Sequence, residues 1–309
     1  MTENLGNFTR GIRMKENELP VQGTQHWVLH EELRLFVWEK YQGRPQGKPV
    51  LVLAHGSATA GRESFDLKVP GHPEYSLMDY LARQGFDVFA PDMRGFGSST
   101  RPEGHLTTEQ AAGDLDAVVD FIRKLRGVSQ VHLLAWSWGT QYGGQFVMGH
   151  PEKVARYASY AQMHTDSPDL KARRERLATF QRAPYIRISE PGWKLRFHSL
   201  TPDAVNVPAV IDAFARSAAL VETKSPTGPQ VDLLTRLPLV DPARITVPTM
   251  LIHGQYDDVA DLDGLLPFFK ALPNPDKQYT VVPEGGHMLH LQKGHARFQH
   301  AVAAFFAAP

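Results

Sequence analysis

The stretch that most narrows the possible folds runs from Val131 to Gly139. A strand-like run, Val131 to Ala135, passes straight into Trp136-Ser137-Trp138-Gly139 with no turn residue between. A chain that goes from strand to helix through one sharp turn needs small residues two before and two after the turning position, and Ala135 and Gly139 supply them. Glycine is the usual residue at both places, so Ala135 costs one methyl of clearance. The residue lifted out at the turn is Ser137, and an exposed hydroxyl there is the sequence form of a nucleophile elbow.

Elements on either side repeat the strand and helix alternation of an α/β sheet. Short strand candidates, Trp27 to Leu29 and Leu35 to Trp38, precede the apolar run Val50 to Ala54, which reads as a buried parallel strand. A helix over Ser76 to Arg83 and a strand over Asp87 to Ala90 follow. The best defined helix has a capping box of Thr107 with Gln110 and an apolar stripe of Leu115, Val118, Val119, Ile122 and Leu125, ending at Gly127. Beyond the elbow come a helix from Gly139 to Met148 and a strand from Val154 to Ala161.

Near residue 162 the alternation stops. Residues 162–242 are proline-punctuated and irregular, with candidate helices at Leu170 to Phe180, Ala209 to Val221 and Val231 to Leu237, and they read as an inserted helical cap. Alternation resumes with Thr249 to His253, Leu262 to Ala271, Gln278 to Val282 and a closing helix from about Gly294 to Phe306. The expected domains are therefore a core of 1–161 and 243–309, and a cap of 162–242.

Composition excludes several chemistries. Thirty-three basic residues balance thirty-three acidic ones, so no net field favours nucleic acid or an anionic membrane as partner. The absence of cysteine removes thiolate catalysis and cysteine-held metals. Met1 to Pro20 is polar and lacks the apolar stretch of a secretory signal, and no window approaches a membrane span. The expectation is a cytoplasmic protein, with the Asn7-Phe8-Thr9 sequon carrying no meaning there.

A serine hydroxyl needs a general base, and the base needs an orienting carboxylate. Asp257 follows a predicted strand in His253-Gly254-Gln255-Tyr256-Asp257. His287 follows the last predicted strand in Glu284-Gly285-Gly286-His287. Backbone N–H donors aimed at a developing oxyanion are each worth roughly 2.7 to 4 kcal/mol of barrier. Trp138 N–H is the first candidate, and Ser57 or Ala58, after His55-Gly56, offers the second.

With these pieces in order the chain resembles the α/β-hydrolase fold family. The matching residues are His55-Gly56, the Asp92 to Ser98 glycine-rich turn, Ser137 in its elbow, His150-Pro151-Glu152, Asp257 and His287, covering residues 48–161 and 244–307. The resemblance implies a mostly parallel twisted sheet with helices on both faces. It implies a catalytic set of Ser137, His287 and Asp257 without cofactor, acting on a small-molecule substrate. Relatives that open epoxides or remove halides carry aspartate where this chain has Ser137. The Trp138-Gly139-Thr140 continuation is similar to that of proline iminopeptidases, whereas carbon–carbon bond hydrolases usually carry methionine after the serine.

The leading expectation is a serine hydrolase cleaving a carboxylic ester of a small, largely apolar substrate. The same residues suit an amide, an N-terminal proline peptide, a lactone or a carbon–carbon bond, and a receptor on this fold is the alternative from another class. An aminopeptidase needs an acid for the substrate ammonium, and Asp166, Asp169 and Glu190 are available. Asp258 and Asp166 rival Asp257 as the orienting acid. His55, Trp138, Phe180, Trp193 and Phe214 are the pocket candidates, although by family role His55 braces the oxyanion loop. Arg94 reads as structural. Lys171, Arg173, Arg174 and Arg176 read as a solvated helix face or a steering surface for anions. His253, His287 and His290 lack the pattern of a zinc site.

Overall fold

The computed structural model describes residues 19–260 and 262–309. The Asn7 sequon and nearly all of the polar N-terminus lie outside the described residues. The chain opens with a long hairpin of β1 (Val21–His30) and β2 (Leu33–Gln42), each ten residues rather than the three or four expected. Its two-residue turn, Glu31-Glu32, has positive φ at both positions, so no glycine or asparagine marks it. Only Val28 of β1 is buried, and the hydrophobic pattern that would announce an edge strand is correspondingly weak.

The sequence continues with β3 (Val50–Ala54), α1 (Gly61–Phe65), α2 (Leu77–Arg83), β4 (Asp87–Pro91), α3 (Thr108–Arg126), β5 (Val131–Trp136), α4 (Gly139–Gly149) and β6 (Val154–Tyr160). After β6 come α5 (Pro168–Arg173), α6 (Leu177–Arg182), the short β7 (Tyr185–Ile186), α7 (Glu190–Ser199), α8 (Pro208–Val221), β8 (Ser225–Pro226) and α9 (Gly228–Thr235). The chain then closes with β9 (Thr249–Gly254), α10 (Leu262–Ala271), β10 (Lys277–Val282) and α11 (His295–Ala307).

The eight long strands form one sheet in the order β1-β2-β4-β3-β5-β6-β9-β10. Pairings of β1 with β2 and of β2 with β4 are antiparallel, and all others are parallel. Chain order reverses between β3 and β5, which opens a crevice at the carboxyl edge of those two strands. The loops bearing Ser57, Ser137, Asp257 and His287 all leave the sheet at that edge.

Local signals account for most of these elements. Thr107 and Gln110 make the reciprocal capping box, and Gly127 ends α3 in the left-handed conformation. Leu115, Val118, Val119 and Ile122 are buried, but Leu125 is 40% exposed, because the apolar stripe stops one turn before the helix does. The expected helix from Leu170 to Phe180 is broken into α5 and α6 by a 3-10 turn at Arg174–Arg176. The α7 helix and the β7–β8 pair went unanticipated, although Ser189 caps α7 and Pro191 occupies its first turn.

Candidate active site

Ser137 has φ 57°, the left-handed value that lifts its side chain out of the strand line. Its own N–H donates to Tyr160 O at 3.0 Å, while Thr140 N–H and Oγ return to Ser137 O at 2.8 and 2.6 Å. A Cβ at Gly139 would lie 2.5 Å from Ala54 O, so the helix can start this close to β3 only without a side chain. The methyl of Ala135 is accommodated differently. Gly143, one turn into α4, faces it, and a Cβ there would sit 3.0 Å from Ala135 Cβ. The glycine missing from the elbow has its counterpart on the opposing helix.

His287 Nε2 lies 2.8 Å from Ser137 Oγ, and His287 Nδ1 lies 3.0 and 3.1 Å from the two oxygens of Asp257. Asp257 Oδ1 also accepts Val259 N–H at 3.1 Å and Ala260 N–H at 3.0 Å, which orients the carboxylate from below. The backbone of His287 is held by Trp136 Nε1 at 2.9 Å and by the Tyr160 hydroxyl, both donating to His287 O. All three side chains are buried or nearly so. Asp258 is exposed and Asp166 is ion-paired to Arg174 at 2.5 Å, so Asp257 is the acid in contact with His287.

On the other side of Ser137, the His55-Gly56-Ser57 turn comes close enough that a Cβ on Gly56 would sit 3.1 Å from Ser137 Cβ. Among the described residues, neither Trp138 N–H nor Ser57 N–H donates to a protein acceptor. His55 bonds Gly56 O through Nδ1 at 2.7 Å and accepts Met93 N–H on Nε2 at 3.1 Å, tying the ends of β3 and β4 together. Burial pushes its pKa down to about 4, so it stays neutral and serves as a brace.

Two cavities flank α7, which contributes to both. One, of about 540 Å³, is lined by Phe180, Gln230 and several arginines, and the other, of about 520 Å³, lies against Asp257, Asp258 and Tyr256. Of the pocket candidates, Phe180 lines the first. The others are packed away: Trp138 is fully buried with its Nε1 donating to Thr108 Oγ, and the pairs His55–Phe96 and Trp193–Phe214 each meet edge-on. Residues unanticipated at the site are Gln230, whose Nε2 donates to Ser57 Oγ at 3.0 Å, and Arg196, whose guanidinium donates to Ser57 O at 3.4 Å. Both belong to the least patterned part of the chain.

Other polar groups serve the frame. Arg94 is clamped between Asp114 and Glu31, at 2.6 and 2.8 Å. His253 meets the Tyr279 hydroxyl, and His290 meets the Tyr160 hydroxyl and Ser64 O, so these rings point to separate partners. Among the described residues no group of three or more His, Cys, Asp or Glu is arranged to hold a metal, and no helix is long and apolar enough to cross a membrane.

The sequence model of the serine aminopeptidase S33 family matches residues 74–294, well over half of the chain. The chain belongs to this family. This hydrolase is 24% identical to the haloalkane dehalogenase of Psychrobacter cryohalolentis, over 71% of its length and 74% of that protein. It is also 24% identical to the 2-hydroxymuconate semialdehyde hydrolase of Pseudomonas putida, over 85% and 88%. Several other curated relatives are matched over two fifths of their own length or less. A thermophilic esterase from Thermogutta terrifontis has the same fold, with a TM-score of 0.68 at 20% identity over 91% of this hydrolase and 97% of the esterase. By family and by fold the molecule is an α/β-hydrolase.

Proposed function

We propose that this α/β-hydrolase is a serine hydrolase that cleaves a carboxylic ester, or a related acyl bond, of a small and largely apolar substrate. The observation that carries the reading is the continuous hydrogen-bonded series from Ser137 Oγ through His287 to Asp257, beside two uncommitted backbone N–H groups. In this reading Ser137 Oγ attacks the carbonyl carbon as His287 Nε2 takes its proton. Asp257 holds the ring and stabilises the imidazolium. Trp138 and Ser57 N–H receive the oxyanion. His287 then protonates the departing alcohol, and a water, deprotonated by the same nitrogen, releases the acid and restores Ser137. Residues 162–242 act as the cap over this centre.

Two further observations weigh against epoxide or haloalkane chemistry and against an aminopeptidase substrate. The residue at the elbow is serine, whereas the resemblance associates epoxide and haloalkane chemistry with aspartate. The cavity beside Ser57 carries four arginines against one carboxylate, Asp169, which Arg173 already holds at 2.6 Å. That environment repels the ammonium of an aminopeptidase substrate.

The test is turnover of 4-nitrophenyl hexanoate by the wild type, Ser137→Ala and His287→Ala, with fluorophosphonate labelling. Each variant should lose about 10³-fold or more in kcat, and the label should map to Ser137. Undiminished turnover in Ser137→Ala would overturn the reading. Ligand-induced stabilisation without multiple turnover would favour a receptor, and a preference for proline-naphthylamide would favour an aminopeptidase.

A further inference from the structure

The 540 Å³ cavity, joined to the Ser57 turn through Arg196 and Gln230, has a mixed lining. Phe180, Ile186, Ile188 and Leu195 supply its apolar surface. Arg173, Arg176, Arg187 and Arg196 bring four guanidinium groups to it, and its single acid, Asp169, is bound to Arg173. Arg176, Arg187 and Arg196 have no carboxylate partner among the described residues: Arg176 lies over the Phe180 ring and Arg196 over Trp193. Burial, and then the fields of Arg173 and Arg176, pull the Arg196 pKa down to about 10, which leaves a cation at neutral pH in surroundings that disfavour its charge.

Hydrogen bonds join these arginines to the turn that packs against Ser137. Arg196 donates to Ser57 O and Gln230 to Ser57 Oγ, while Arg173 donates to Gln230 Oε1 at 3.3 Å. Ser57 follows Gly56, the residue packed against Ser137. An anion seated on Arg196 would offset its charge at a side chain that is hydrogen-bonded to the Ser57 turn. The guanidinium fork matches a carboxylate with two N–H···O bonds. Apolar side chains among the guanidinium groups suit a monoanion on a hydrocarbon body better than a strongly hydrated dianion.

We propose that this cavity binds a carboxylate carried by the substrate, making the preferred substrate an ester with an apolar body and one anionic end. The inference takes the position of the scissile bond from the serine hydrolase reading, and otherwise stands on the cavity alone.

The experiment compares mono(4-nitrophenyl) adipate with 4-nitrophenyl hexanoate, which differ by a carboxylate in place of a methyl. With each rate normalised to hydroxide-catalysed hydrolysis, the wild type should favour the anionic ester in kcat/KM by about tenfold or more. That preference should shrink between 0.05 and 0.5 M NaCl as the charges are screened. Arg196→Met should reduce the anionic-to-neutral ratio by about 10- to 100-fold, and Arg196→Lys should recover part of it. Arg176→Gln, at an exposed position, should lower the same ratio and covers the case in which Arg196→Met fails to fold. A wild-type ratio at or below one, or a ratio untouched by these variants, would overturn the inference while leaving ester hydrolysis intact. Calorimetric titration of Ser137→Ala with monoethyl adipate and ethyl hexanoate separates the two readings. Tighter binding of the anion supports the carboxylate site even where neither chromogenic ester is turned over, and equal affinities remove it.

Discussion

At the scale of single residues, the elbow is governed by methyl-sized clearances. Ala135 occupies a position where glycine is usual, and Gly143 leaves room for it, with a hypothetical Cβ only 3.0 Å from the alanine methyl. Neither atom could rotate away, since both are fixed to backbone. Gly143→Ala should therefore be worse in the Ala135 background than in the Ala135→Gly background by about 1–3 kcal/mol, the usual cost of overpacking. A double-mutant cycle measured by urea denaturation checks this, and additive effects would show that the two positions do not share space. The helical gain of about 1 kcal/mol from replacing glycine is common to both arms and cancels.

At the scale of elements, α8 is fastened through its C-cap to the loops that follow β3 and β4. Glu222, the C-cap, is buried and accepts Ala60 N–H at 2.9 Å and Gly97 N–H at 3.0 Å, with Arg101 at 3.3 Å. Burial outweighs these donors and raises its pKa to about 7. A carboxyl whose folded pKa is raised binds its proton more tightly in the native state than in the unfolded one. Its contribution is therefore most favourable below about pH 4.5 and is lost as pH rises through about 7. Between pH 5 and pH 8, the wild type should lose roughly 1–3 kcal/mol relative to Glu222→Gln. Denaturant midpoints for both proteins at the two pH values provide the measurement, and parallel shifts would contradict the assignment. The α7 helix has a comparable importance for the site, since it supplies Arg196 and walls both cavities.

At the scale of the whole molecule, the helices between β6 and β9 share a core with the sheet. Trp193, Phe197, Phe214 and Leu233 belong to the same continuous buried cluster as Val52, Leu134 and Ile252. Elements that bury one another's apolar surface lose it together, so thermal unfolding should be one cooperative transition. Near-ultraviolet and far-ultraviolet circular dichroism should give midpoints within about 1 °C, and an earlier near-ultraviolet loss confined to part of the signal would indicate that the inserted segment melts alone.

Sequence alone determined whatever depends on neighbours along the chain. The strand-to-helix turn at Ser137, the capping box at Thr107, the apolar run of β3 and the loop positions of Asp257 and His287 are local patterns, and strand alternation carries those loops to one edge of a sheet. The length of β1 was not legible, because an edge strand needs no apolar periodicity and its Glu31-Glu32 turn has no glycine. Nor was the pairing of Arg196 and Gln230 with Ser57, which joins positions 139 and 173 residues apart. Only the tertiary structure decided which aromatics are packed away and that arginines gather beside the oxyanion turn. Such choices depend on which surfaces are buried against each other, and burial is settled by contacts between segments that no local pattern records.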